Sequence, residues 1–175
     1  SMAGLKPAFD KKYGSLTAGN SSPLTDGAAV TIVADEARAK AEGLTPRARI
    51  KDVVFVGMNP YEQLLIGPAV AIPQLLERNK LKVGDIDRFE IHEAFAAQVL
   101  SCLQSMESDA FMQEHLGKKA LDPIPLDKLN VNGGAIAIGH PFGATGSRLV
   151  NSLTNELHRS DSTLGVIGIC AAGAM

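Results

Sequence analysis

Cysteine is scarce in this chain: two in 175 residues, at positions 102 and 170. They stand far apart, form no metal-binding spacing and build no disulfide scaffold. Such usage fits a reducing, soluble compartment. Neither sign of charge is in excess. Seventeen Lys and Arg against nineteen Asp and Glu leave a formal net charge of −2, so no basic surface argues for nucleic acid. No apolar run approaches the roughly 18–20 residues of a membrane-spanning helix. No signal-peptide pattern is read at the N-terminus, and no internal repeat is evident. What remains has the length of one ordinary domain. Its 45% hydrophobic residues suffice for a real core.

The most informative stretch is NVNGGAIAIGHPFGATGSR, Asn130–Arg148. Gly133 and Gly134 let backbone approach backbone closely. Gly139-His140-Pro141 forms a tight turn, because Gly tolerates unusual φ and Pro fixes its own. Small residues at 143, 144 and 146 leave little bulk where the next helix begins. From spacing alone two readings fit: a turn that aims His140 at a reacting group, or a Gly-rich packing corner with an incidental His.

Elsewhere the pattern alternates strand and helix. Ala28–Ala34 (AAVTIVA) predicts a buried strand, and Asp35–Gly43 a helix that stops at Gly43. Arg49–Val56 predicts the next strand, broken at Asn59-Pro60. Gly67–Lys80 contains a helix with Ile72, Leu75, Leu76 and Asn79 on one side, and Pro73 is expected in its first turn. Asp85 caps a short turn and Arg88–Ile91 is a short strand. Glu93–Met106 is the clearest helix, with Phe95, Val99, Cys102, Leu103 and Met106 on one face. Glu107–Lys128 reads as a polar excursion with a short helix around Ala110–Leu116. A strand, the GHP turn and a helix bearing Leu149, Val150, Leu153 and Leu157 on one face come next. Thr163–Cys170 predicts a final buried strand. This order indicates an α/β layered fold.

Three loops and one upstream stretch together resemble the thiolase family, the 3-ketoacyl-CoA thiolases and acetyl-CoA acetyltransferases. The loops are Ile91-His92-Glu93-Ala94-Phe95-Ala96, the GHP turn, and Cys170-Ala171-Ala172-Gly173. The upstream stretch is 18–29, AGNSSPLTDGAA. The four occur in the family's order and span nearly the whole chain. His92, where many thiolases have Asn, and the long 107–128 excursion resemble the subgroup of the trifunctional-complex β subunit.

The resemblance implies a fold of two βαβαβαββ halves packed face to face, with a loop domain inserted in the first. On that mapping residues 1–46 are the end of the loop region and the last strand and helix of the N-terminal half. Residues 47–175 are the C-terminal domain without its final strand. The family's acyl-accepting Cys has no counterpart here, so the chain reads as a piece of a longer thiolase, cut at both ends.

It also implies site roles. His140 activates the missing nucleophilic Cys. Cys170 is the acid/base that protonates the acetyl-CoA carbanion, with an ordinary thiol pKa of about 8.5 suited to that task. His92 holds an oxyanion-hole water at a helix N-terminus. The loop after Cys170 offers backbone N–H groups to a thioester oxyanion; the family's usual Gly is Ala172 here. Phe95 lines the pantetheine or acyl pocket, although by pattern it is equally a core residue. Glu93 orients His92 or His140, or simply begins the helix. Asn130, Gly139 and Pro141 support the loops. Cys102, on the apolar face of a helix, is core.

The expected activity is thiolytic cleavage of 3-ketoacyl-CoA by CoA, reversible as a Claisen condensation. No metal and no bound cofactor are implied, since coenzyme A is a substrate. Expected partners are the CoA thioester, the missing N-terminal half, a second copy in a homo-oligomer and a β-oxidation α subunit. Alternatives are a biosynthetic acetoacetyl-CoA thiolase, a related ketoacyl synthase and a non-catalytic half-thiolase that pairs with another chain. A bacterial cytoplasmic or a mitochondrial home fits equally. The chain alone is expected to be inactive, with exposed apolar surface where the first half docks.

Overall fold

A computed structural model describes residues 2–171. Its centre is a pair of parallel strands, β1 (Arg88–Ile91) and β2 (Gly165–Gly168), in register Arg88↔Gly165 through Ile91↔Gly168. Parallel neighbours need a long crossover. Here it carries α3 (Ala96–Met106), α4 (Asp109–Leu116), the single-turn α5 (Ala135–Ile138) and α6 (Phe142–Arg159). Before the sheet come α1 (Glu36–Ala41) and α2 (Gly67–Arg78).

The core lies between the sheet and the helices α2 and α3. Ala69, Ile72 and Leu76 of α2 meet Val99, Cys102, Leu103 and Met106 of α3, with Phe89, Ile91 and Val166 from the strands. The helical spacing of these residues makes one apolar face on each helix. On the opposite side α6 covers the sheet. β2 admits both layers because it has no side chain at two points. A Cβ on Gly165 would meet Leu153 of α6 at 2.7 Å, and one on Gly168 would meet Ile72 of α2 at 3.0 Å.

Several expectations match: β1 has its expected bounds, α1 ends before Gly43 with φ +68°, and α4 covers the short helix expected around Ala110–Leu116. Others are corrected. Pro73 lies inside α2, and Pro68 takes the first-turn place. α3 begins at Ala96 rather than Glu93, because Glu93 is engaged by the Asn130 loop. The expected strand before the GHP turn is the helical turn α5, whose amide N–H at Ile136 donates to Glu93. The last strand is shorter than Thr163–Cys170.

The largest corrections concern the first third. Neither Ala28–Ala34 nor Arg49–Val56 forms a strand among the described residues, and neither is buried as a strand core should be. Ile32 is 86% and Phe55 89% exposed. A β-branched run forms a strand only with neighbours to pair with, and none of the described strands lies beside these. Residues 51–58 still alternate exposed and half-covered positions, the period of an extended chain. Each segment is tethered by side chains. Asn151 of α6 donates to Val30 O, while Arg78 and Asn79 of α2 donate to Asp52.

Candidate active site

β1 and β2 end side by side; His92 and Glu93 follow the first, and the small residues Cys170 and Ala171 come soon after the second. His92 comes directly after β1, and its N–H donates to Gly168 O, the last residue of β2, at 2.8 Å. Cys170 lies two residues beyond that point. In open α/β sheets ligands bind outside the carboxyl ends of the strands, and this is such a place.

His140 reaches the same spot from the GHP turn. Its ring centroid is 4.2 Å from that of His92 and 4.6 Å from that of Phe142. The turn is held from outside by the N-terminal segment. His140 N–H donates to Pro23 O at 2.9 Å, and Leu24 forms a parallel bridge with His140. Gly139 has φ +95°, and a Cβ there would strike Thr25 at 2.4 Å, so only Gly serves. An open cleft of about 410 Å³ lies between residues 25–29 and 141–144.

The imidazole of His140 is oriented by Thr145. Nδ1 lies 2.7 Å from Thr145 Oγ1, and that hydroxyl has Pro141 O as its own acceptor at 3.4 Å. The tautomer that satisfies both contacts has Nδ1–H donating to Oγ1 while the hydroxyl donates to Pro141 O. Nε2 is then left as the basic nitrogen. Burial and the charge of Arg148 hold the His140 pKa below its ordinary value, so the ring is a neutral base near neutrality.

His92 is more deeply buried, 1% exposed. Burial first, then His140 and Arg148, bring its pKa down to about 4. It is a neutral hydrogen-bonding group at ordinary pH. Burial drives the Cys170 thiol up to about 12, with Cys102 adding to the effect. That departs from the ordinary thiol value expected from sequence. Cys170 is therefore held as the protonated thiol.

Asn130 proves to be the keystone of the neighbouring loop. Its own N–H donates to Phe89 O, and its side chain pairs with Ile91 as a strand residue would. Oδ1 accepts from Ile91 N at 2.8 Å and Nδ2 donates to Ile91 O at 2.9 Å. Nδ2 also reaches Glu93 Oε1, and Glu93 Oε2 accepts from Ile136 N. Of the roles open to Glu93, the structure shows loop anchorage; its hydrogen bonds go to the Asn130 loop and to neither His. Phe95 is half-buried and packs edge-on against Phe9 at 5.8 Å. Pro141 sits at the α6 N-cap. Cys102 is core, as expected. Ala172 lies outside the described residues.

Thr145, Arg148 and Glu90 were not singled out from sequence. Arg148 was legible in principle, as a charge beside Leu149 at the edge of the apolar face of α6. Glu90 was legible as an acid two residues from His92 on the same strand face.

Comparison with known proteins gives this arrangement its context. Residues 44–175 match the family model "Thiolase, C-terminal domain", and residues 1–37 match "Thiolase, N-terminal domain". The chain belongs to the thiolase family. It is 48% identical over 173 residues to the mitochondrial trifunctional enzyme subunit beta of Bos taurus, covering 98% of this chain and 36% of that one. It is 46% identical over 176 residues to a 3-ketoacyl-CoA thiolase of Serratia proteamaculans, covering 100% of this chain and 40% of that one. Among solved structures, an acetyl-CoA acetyltransferase of Bacillus anthracis superposes with a TM-score of 0.81 at 42% identity, covering 99% of this chain and 39% of that one. The thiolase chain thus spans between a third and two fifths of the length of these relatives. The resemblance read from the HEAF, GHP and CxG-like loops is family membership, and the layered α/β fold is the thiolase fold.

Proposed function

We propose that this chain supplies the acid–base part of a thiolase active site, acting on 3-ketoacyl-CoA and CoA. The observation that supports it most is the neutral His92–His140 pair, 4.2 Å ring to ring, at the strand ends beside Cys170.

In thiolysis a thiolate attacks the keto carbon, and His92 would support the oxyanion that forms, either directly or through a water. The bond between the α and keto carbons then breaks. The acetyl-CoA carbanion takes a proton from Cys170. Burial keeps that thiol protonated, and donation remains downhill because a carbanion is a far stronger base than a thiolate. CoA then loses its thiol proton to Nε2 of His140 and attacks the acyl thioester, releasing the shortened acyl-CoA and the nucleophilic thiolate, and the proton taken up by His140 restores the Cys170 thiol. Run backward, the same groups serve condensation.

The nucleophilic thiol is a separate requirement. Cys102 cannot meet it: it is wholly buried, 3.6 Å from Gln98 Nε2 and 3.8 Å from Leu65 O. We therefore assign the nucleophile to a segment other than residues 1–175. The N-terminal half of the family fold, a second copy and a β-oxidation α subunit stand as proposed partners on the same footing.

The assay is CoA-dependent cleavage of acetoacetyl-CoA. The chain alone should show no turnover. A longer product that contains it should turn over, and His140→Ala there should lower kcat/KM by about 10³-fold. Turnover by the chain alone that Cys170→Ala abolishes would overturn the assignment of roles. Inactivity of the longer product would favour the pairing-module reading.

A further inference from the structure

Alternate residues of β1 and the residue after it, Arg88, Glu90 and His92, share one face. Arg88 shows which way that face looks, because its Nε donates to Glu156 Oε1 of α6 at 3.2 Å. From Arg88 to His92 the strand advances about 13 Å. From Glu156 back to Arg148 the helix covers about 12 Å. The two elements therefore run alongside each other as a polar seam, with Arg88 opposite Glu156 at one end and His92 beside Arg148 at the other. Thr145, one turn further along α6, holds His140.

The middle of this seam is buried and incompletely paired. Glu90 is 1% exposed. Among the described residues four buried side-chain polar atoms have no hydrogen-bond partner, and three are here: Glu90 Oε2, His92 Nδ1 and Arg148 NH2. A guanidinium keeps its charge at every accessible pH. Arg148 is half-buried and has no ion-pair partner among the described residues, so it projects that charge onto whatever lies nearest.

The geometry points to Arg148 as the positioning residue that adds to burial in keeping the His92–His140 pair uncharged and ring to ring. Two imidazolium rings at 4.2 Å would repel, and one would impose its charge on the other. Arg148 opposes the first protonation from behind. Its charge acts on His92, His140 and Glu90 alike. Glu90 adapts the device to pH. Burial raises its pKa to about 7, against the pull of Arg148 and with Glu93 and Glu156 pushing the same way as burial. As pH falls below neutrality Glu90 becomes neutral and ceases to offset Arg148, just where the histidines would otherwise take up protons. Cys170, past the end of β2, is kept neutral by burial.

This inference deepens the thiolase reading of His92 and His140 and rests on it for its catalytic meaning. Its test needs no turnover, so the two fail separately. The pH titration of the four histidines is followed by NMR in this chain. His115 and His158, on exposed helix surfaces, serve as internal references. In Arg148→Gln the His140 midpoint should rise by about half to one pH unit. Arg148→Lys, which keeps the charge, should restore it, and His115 and His158 should not move. A His140 midpoint unchanged in Arg148→Gln, or raised equally in Arg148→Lys, overturns the proposal. Should Arg148→Gln fail to fold, the unmodified chain decides. The Arg148 side-chain nitrogen signals should shift with the His140 midpoint, and their insensitivity to it overturns the proposal. In a longer, active product the acid limb of kcat/KM should move upward in Arg148→Gln by the same amount.

Discussion

The two faces of β1 are built on opposite principles within four residues. Phe89 and Ile91 belong to the apolar core against α2 and α3, with Val99, Cys102, Leu103 and Met106 among its members. Arg88 and Glu90, with His92 just beyond, look onto α6, where the neighbours are Glu156, Arg148 and the His140 turn. The first face lowers free energy by burying area. The second holds buried polar atoms without partners, which costs free energy. Proteins keep such unfavourable groups where they serve a task. The sheet is thus a partition, with stability gathered on one side and the proposed chemistry on the other.

The sharpest test of that division is Phe89→Ala. It should cost about 3–5 kcal/mol of stability, as large core truncations do, measured by urea denaturation. In the folded protein it should leave the His92 and His140 midpoints alone. Movement of those midpoints would mean that the faces are coupled and the division is false.

The polar face should declare itself in the pH dependence of stability. Glu90 rises from 4.5 to about 7, so over that range the native state holds an extra proton and stability falls as pH rises. His92 falls from 6.5 to about 4, so the unfolded state holds the extra proton and stability rises with pH. Between about pH 4.5 and 6.5 the two cancel, leaving the shallow slope that His140 adds. Below about 4.5 Glu90 no longer contributes. His92 remains, joined by Glu156, whose hydrogen bonds from Arg159 foremost, then Asn132 and Arg88, bring it down to about 2. The urea midpoint should therefore be nearly level from about pH 5 to 6.5 and drop steeply below about 4.5. An even decline from about pH 6.5 downward would show that Glu90 is no counterweight.

The smallest effect is expected outside both faces. Ile32→Ser should change stability by less than about 0.5 kcal/mol, because the side chain is already exposed. It should reduce self-association, read by light scattering, because Val30, Ile32 and Val33 form an uncovered apolar strip.

The sequence was most legible where local pattern and chemistry coincide. The apolar face of α3 and the alternation in β1 each carry a period that needs no distant partner to be recognised. The HEAF, GHP and CxG-like loops carry identity through their order. Legibility failed where neighbours decide. The run at 28–34 has the composition of a buried strand and lies exposed, because composition cannot say whether a partner strand adjoins it. AIAI at 135–138 coils into one helical turn because Glu93 captures the Ile136 N–H, a contact 43 positions away. The histidines were visible in sequence, but what sets their protonation was not. Thr145 and Arg148 sit in a motif read for its glycines, and only three-dimensional packing brings one to Nδ1 and lets the charge of the other act on the ring pair.

The segment that runs from Pro23 past Val30 has a consequence for the order of folding. It is the brace of the GHP turn, yet its contacts join residues as much as 121 positions apart. Closing so long a loop is entropically expensive and slow compared with assembling α2, β1 and α3, which are near neighbours in the chain. The hydrophobic half can therefore consolidate while the brace is still free. His140 reaches its place opposite His92 only when the brace arrives. Assembly of the histidine pair is on this account among the last events of folding, and the first to be undone when the brace detaches.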